Sequence, residues 1–330
     1  GVFLHQLLAC DDKARHLTRW EQHNPVPFPT RQNYHFDSRR QADLTWEENE
    51  NTLVTHVSRY KPFFTDPPSP SGPPCYDDIL LLTQSLFFPL LISSSRSSFH
   101  SHFLLEESGK GTYEYLARFL SLSCFYNPPE KYFLLCSPLH SYHLKEFWQV
   151  FKHPQSVVIL LHRDPLHSLS PIAQQTAFFS LHQFRDLNNP KYPFLEKSQF
   201  GEAILEFMKE GVQRMEEGKK WIEEKEGNRG RVVDVEFSQL GIDPMGVVRR
   251  IYERGGWELE EETEKKMIEF IHSKFHEVGV RERFREEMVG LGKGVEEFGL
   301  KEEEVDVVMG RYVKERGYKE KRKKRRERER

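Results

Sequence analysis

Cysteine is scarce in this chain: Cys10, Cys75, Cys124 and Cys136 are scattered, with no C-x-x-C pair. That spacing excludes a zinc ribbon and gives no disulfide framework. There is no N-x-[ST] sequon to mark a secreted protein, so a reducing, cytoplasmic setting is the expectation. No apolar run approaches the ~20 residues of a membrane-spanning helix. Two signatures of catalysis are also missing: G-x-x-x-x-G-K-[ST], which would suggest a P-loop kinase, and H-E-x-x-H, a helical zinc pair. Nor does one sign of charge dominate, since 48 Lys+Arg stand against 51 Asp+Glu in 330 residues, a net of −3.

That balance conceals an asymmetry. Residues 319–330 carry nine basic and three acidic side chains, a net of +6, which leaves −9 for the other 318. An acidic body is a poor match for nucleic acid, so any polyanion contact is assigned to the basic end. The composition of 319–330 reads as a disordered, solvated tail. The body, residues 1–318, is long enough for one large domain with a real core, and 25 Phe supply bulk for it.

Along the chain, Val2 to Ala9 reads as a buried helix and Asn24 to Pro29 as a Pro-rich segment that is neither helix nor central strand. A helix is expected near 43–58, a surface loop over 66–74 and a Ser-rich loop over 93–98. Asp77 and Asp78 are placed as caps of an apolar helix reaching about Phe88. The Phe-rich middle, including Phe119 and Phe125, is assigned to the core. Lys131 to Leu135 and Val157 to Leu161 are short apolar runs flanking an amphipathic stretch, His143 to Phe151. Strand, helix and strand make a βαβ unit with two neighbouring parallel strands. Arg231 to Val235 is a third strand, after a helix over 202–226, and helices follow at 244–254, 260–272 and 301–315. Short apolar strands alternating with amphipathic helices predict a three-layer α/β domain, a central parallel sheet flanked by helices.

In such a sheet, ligands bind beyond the carboxyl ends of the strands. One strand runs into Cys136-Ser137-Pro138-Leu139-His140, the other into His162-Arg163-Asp164-Pro165 with Ser168 and Ser170 beyond. Arg163 beside serine hydroxyls suits a phosphate, which guanidinium grips bidentately; a salt bridge to Asp164 or a nearby helix is the alternative. His140 suits a general base, or else simple packing. His143, His162 and His167 cluster in sequence but lack the helical pairing of a metal site, so no metal is expected. Lys293 reads as a solvated loop residue.

Three stretches, Trp20 to Pro27, Leu134 to Leu144 and Val157 to Leu166, occur in the order seen in sulfotransferases that use 3′-phosphoadenosine-5′-phosphosulfate. They resemble most the bacterial and fungal branch with "LKSPxH" followed by "LHRDP". Phe237 to Tyr252 and Phe298-Gly299-Leu300 resemble later motifs of that branch. The resemblance implies a P-loop-like fold, no metal, a small-molecule acceptor with a hydroxyl or amine, and 3′-phosphoadenosine-5′-phosphosulfate as donor. It assigns His140 as base and Arg163 to the 3′-phosphate, with Ser168 and Ser170 as substitutes, on a shifted loop, for the serine expected at position 171, and Gly1 and Val2 to the end of the phosphosulfate loop, whose preceding strand would lie upstream of this chain.

Departures accompany the resemblance. Cys136 replaces the Lys of "LKSP", and Pro171 stands where a Ser is expected. Each lost charge-stabilising group would cost on the order of 3 kcal/mol in the transition state. Two functions follow as expectations: sulfuryl transfer, or a catalytically inactive relative that keeps the fold as a binding or scaffold protein.

Overall fold

The computed structural model describes residues 1–43, 77–84, 105–173, 197–225, 227–276 and 295–328. The expectations for most of 43–58, for 66–74 and 93–98, for the helix end near Phe88 and for Lys293 lie outside these residues. The chain opens with α1 (Val2–Leu8), β1 (Ala14–His16) and α2 (Arg19–His23). Then come α3 (Ile79–Gln84), α4 (Glu106–Tyr126), β2 (Tyr132–Leu134), a 3₁₀ turn (Pro138–His143) and α5 (Leu144–Phe151). After β3 (Val158–His162), residues 165–173 are helical and form α6. They are followed by α7 (Lys197–Glu223), β4 (Val232–Glu236), α8 (Phe237–Ile242), α9 (Pro244–Gly255) and α10 (Glu261–His276). The chain closes with α11 (Glu302–Val308), α12 (Gly310–Glu315) and α13 (Tyr318–Arg328).

The described strands form two parallel pairs. Ala14 to His16 lies along Tyr132 to Leu134, and Val158 to His162 along Val232 to Glu236. The sequence reading made β2 and β3 neighbours, whereas each pairs with a different strand. Among the described residues β2 and β3 belong to separate two-stranded sheets, so the helix between them does not by itself fix which strand lies beside which.

Alternation along the strands sorts side chains into layers, because successive strand residues face opposite sides. Val158, Leu160 and Val232 join a core with Leu144, Trp148, Ile204, Ile222, Phe298 and Val313. Ile159, Leu161, Val233, Val235 and β2 residues Tyr132 and Leu134 face the other way, onto Leu4, Leu7, Ile251, Met267 and Phe270. Phe133 packs instead with Leu17, Leu81, Tyr113, Leu116 and Leu139. Helices α1, α9 and α10 therefore cover one face, and α4, α5, α7 and α12 the other. This is the three-layer α/β arrangement expected from the short apolar strands.

Local chemistry sets the helix limits. Asp243 accepts the Gly246 amide at 2.8 Å, Pro244 takes the first position of α9, and Gly256 ends it in the left-handed region at φ 67°. At Gly211 of α7 an added Cβ would lie 2.7 Å from Cζ of Tyr142, so only glycine lets that ring approach. The Tyr142 ring stacks on Phe207 with centroids 4.4 Å apart, and its hydroxyl donates to the Phe207 carbonyl at 2.8 Å.

Trp20 and Glu21 are both buried in α2. Arg15, buried on β1, donates to Glu21 at 2.6 Å, to Ser123 at 2.9 Å and to the Asn127 carbonyl at 3.1 Å. Glu21 also accepts from Thr18 and Tyr34, so one buried pair ties β1 and α2 to α4.

Two further expectations change. Residues 319–328, read as part of a disordered tail, continue helix α13, with Arg322 buried among carboxylates that its composition gave no sign of. Phe119 is in the core as expected, but Phe125 is 79% exposed, on the outer side of α4.

Candidate active site

The carboxyl end of β2 leads through Cys136 to Ser137, whose hydroxyl accepts the Leu139 amide at 3.2 Å and starts the 3₁₀ turn. Pro138 at the first position of that turn has no amide to leave unpaired. The turn aims His140 inward. Its Nε2 lies 2.9 Å from Oδ2 of Asp78 and its Nδ1 lies 3.2 Å from the Tyr113 hydroxyl, while the Phe147 ring packs at 4.7 Å.

Asp78 is wholly buried at the start of α3. Besides His140 it takes the Cys136 amide at 3.2 Å, and its own amide donates to the Cys136 carbonyl at 2.9 Å. Burial pushes the Asp78 carboxyl up, and the His140 and Cys136 contacts pull the other way. Its neighbour Asp77 is raised to about 7, first by burial and then by the charge of Asp78. Burial likewise holds the Tyr113 hydroxyl well above its usual range. A carboxylate held in this way orients the imidazole that faces it and sets which ring nitrogen carries the proton.

Gly1 reaches this strand end, since a Cβ built on it would sit 3.8 Å from Sγ of Cys136. Val2 is 60% exposed beside it. Burial pushes the Cys136 thiol up to about 12, so it carries no charge at neutral pH. A neutral thiol therefore stands where the resemblance led to the expectation of a lysine charge.

Arg163 follows β3 directly, its guanidinium 4.9 Å from the centre of the Phe237 ring at the start of α8. The ring supports the cation without competing for it as a hydrogen-bond acceptor. Asp164 begins α6: Oδ1 accepts the Leu166 amide at 3.1 Å, and its carbonyl accepts the His167 amide at 3.0 Å and the Ser168 amide at 3.1 Å. The Ser168 hydroxyl donates to that same carbonyl at 3.2 Å. Ser170 and Pro171 lie further along α6, both half-buried.

The histidines near these positions have structural partners. His162 is buried between Asp234 at 2.6 Å and the Tyr312 hydroxyl at 3.0 Å, with Arg316 at 2.9 Å. Its hydrogen bond, followed by Lys219, holds the Asp234 carboxyl well below the usual carboxylate range. His143 faces Glu146 at 3.6 Å. Among the described residues no cluster of three or more His, Cys, Asp or Glu could hold a metal ion, and no helix is long and apolar enough to cross a membrane.

Sequence reasoning singled out His140 and Arg163 because both follow strand ends, and the structure places both just beyond strand ends. It missed Tyr113 as a partner and took Asp78 for a helix cap. The doubled aspartate ahead of an apolar helix was the available signal, but its pairing with a histidine 62 residues away is a property of the fold.

His140 thus lies beyond the end of one parallel strand pair and Arg163 directly after a strand of the other, and the class of the protein comes from the comparison with known families. The chain belongs to the sulfotransferase family, whose model matches residues 3–261. Its fold is shared with sulfotransferase STF9 from Mycobacterium avium, with a TM-score of 0.73 at 22% identity over 95% of this chain and 73% of that one. Sulfotransferase STF1 from Mycobacterium tuberculosis H37Rv aligns with a TM-score of 0.61 at 18% identity, over 94% and 72% of the two chains. No curated protein matches its sequence.

Proposed function

We propose that this protein transfers a sulfuryl group from 3′-phosphoadenosine-5′-phosphosulfate to a hydroxyl of a small-molecule acceptor. The observation that carries this reading is the Asp78–His140–Tyr113 line at the end of β2. With the Asp78 carboxylate accepting from Nε2–H, Nδ1 retains the lone pair that a base requires. Tyr113 donates to that lone pair at rest, and the acceptor hydroxyl replaces it as donor. Nδ1 would then take the proton that the acceptor oxygen gives up as its bond to sulfur forms and the bond between sulfur and the donor's 5′-phosphate oxygen breaks, releasing 3′,5′-bisphosphoadenosine. A positioned base of this kind contributes about 10² to 10⁴ in rate.

The residues present fit the donor in one respect: Arg163, backed by Phe237, offers a permanent charge for the 3′-phosphate. Ser168 and Ser170 would assist it, and Gly1 and Val2 would line the 5′ side. When bound, the donor supplies a sulfuryl group already activated on phosphate. Calorimetric titration with 3′,5′-bisphosphoadenosine tests the donor site, and mass spectrometry of acceptors incubated with the donor tests transfer. Saturable binding with a sulfated product is expected; absence of both rejects the reading.

Cys136 favours a second reading, a relative that binds without transferring, because a neutral thiol cannot offset charge developing on the sulfuryl group. Cys136→Lys separates the two. Activity gained only in that variant assigns the natural protein to binding, whereas activity already present in the wild type excludes it.

A further inference from the structure

We propose that Arg322, on the C-terminal helix α13, is a positioning residue for the donor clamp, holding Asp164 and thereby the orientation of Arg163. The inference rests on the reading of Arg163 as the 3′-phosphate ligand. Arg322 lies outside the family match and reaches back 158 residues to Asp164, with Nε 2.7 Å from Oδ2. Its other nitrogens reach Glu302 at 3.0 Å and Asp306 at 2.7 Å, one turn apart on α11. Only 6% of the Arg322 side chain is exposed, and a fully committed guanidinium of this kind has a fixed geometry.

Asp164 divides its oxygens between two tasks. Oδ2 takes Arg322, while Oδ1 and the carbonyl hold the first turn of α6, including the Ser168 amide and hydroxyl. The same helix has a second anchor. The Tyr318 hydroxyl donates to Glu236 at 3.1 Å, and Lys321 lies 3.7 Å from that carboxylate. Glu236 immediately precedes Phe237, the ring beside the Arg163 guanidinium. Helix α13 therefore holds the residue after Arg163 and the residue before its aromatic support. Both segments that frame the clamp are fixed by one element, so loss of Arg322 loosens the site without removing any group that touches the donor.

The test compares 3′,5′-bisphosphoadenosine with adenosine 5′-phosphate, which lacks the 3′-phosphate, on wild type, Arg322→Met and Arg322→Lys. In Arg322→Met the first nucleotide is expected to bind about tenfold more weakly, the scale of one charge-assisted hydrogen bond, with the second changed less than about twofold. A general structural role would weaken both alike, and that parallel loss, or no loss, overturns the proposal. If Arg322→Met does not fold, Arg322→Lys keeps a charge among the carboxylates but not the planar fork. Its preference for the bisphosphate must then fall by about threefold or more, and an unchanged preference overturns the proposal. Wild type that binds neither nucleotide removes the donor reading and this inference together; wild type that binds, with variants that match it, removes this inference alone.

Discussion

Nε2 of His140 and Oδ2 of Asp78 lie 2.9 Å apart although the residues are 62 positions apart in the chain, and the carboxylate has no solvent exposure. A second bond, from the Cys136 amide, keeps Asp78 in place at the same strand end. Asp78→Asn should therefore leave donor binding intact while slowing transfer, because an amide can present the wrong partner to Nε2 and release the tautomer. A fall of about 10²-fold or more in kcat is expected, within the range of general-base effects. Donor affinity measured on the same preparation checks that only chemistry has moved.

Arg163 makes the complementary prediction. Arg163→Ala removes the proposed 3′-phosphate ligand and should cost about 1.5–3 kcal/mol of binding to 3′,5′-bisphosphoadenosine, the worth of a hydrogen bond to a charged group. Adenosine 5′-phosphate should bind the variant about as well as the wild type. Calorimetric titration with both nucleotides reads the difference, and equal losses for the two would assign Arg163 to the fold.

The Arg15–Glu21 pair predicts a stability effect away from the chemistry. Both side chains are buried, with Arg15 committed to Glu21, Ser123 and backbone carbonyls. Arg15→Met strands the carboxylate and should destabilise the protein by about 3–5 kcal/mol in urea unfolding. Adding Glu21→Gln to that variant should recover part of the loss, since no buried charge is then left alone.

Acid sensitivity follows from two histidines. Burial, then the charge of His16, lowers His5 to about 3, and burial lowers His16 to about 4, against 6.5 for the unfolded chain. Below about pH 6.5 the unfolded chain takes up protons that the folded protein refuses, so stability falls as pH drops from there toward 4. Thermal midpoints measured across that window should fall, and His5→Leu with His16→Leu should flatten the dependence. An unchanged slope in the double variant would assign the acid response to other groups.

How much of this was legible in the sequence depended on how local the determinants were. Strands β2, β3 and β4 were readable because apolar runs flanked by polar residues have few other uses in an α/β protein. Strand β1 was not, since Ala14–His16 is three residues long and its central Arg15 is buried only because Glu21 and Ser123 complete it. Helix α13 was missed for the same reason: a run of lysines and arginines reads as solvated until Asp164, Glu302 and Asp306 are brought around Arg322. At the candidate site, the places of His140 and Arg163 just after strands were legible. Asp78 and Tyr113 depended on contacts 62 and 27 residues distant in sequence, which no local pattern encodes. The adjacency of β2 and β3 was overread, because a crossover helix does not specify which sheet position comes next.

Single-turnover transfer from radiolabelled 3′-phosphoadenosine-5′-phosphosulfate, compared between wild type and His140→Ala at matched donor occupancy, tests the role of His140 most directly. The wild type should move label to a hydroxyl acceptor, and the variant should do so about 10² to 10⁴ times more slowly while binding 3′,5′-bisphosphoadenosine equally well. Equal transfer rates in the two proteins would contradict the assignment of the base, and no transfer by the wild type would contradict the enzyme itself.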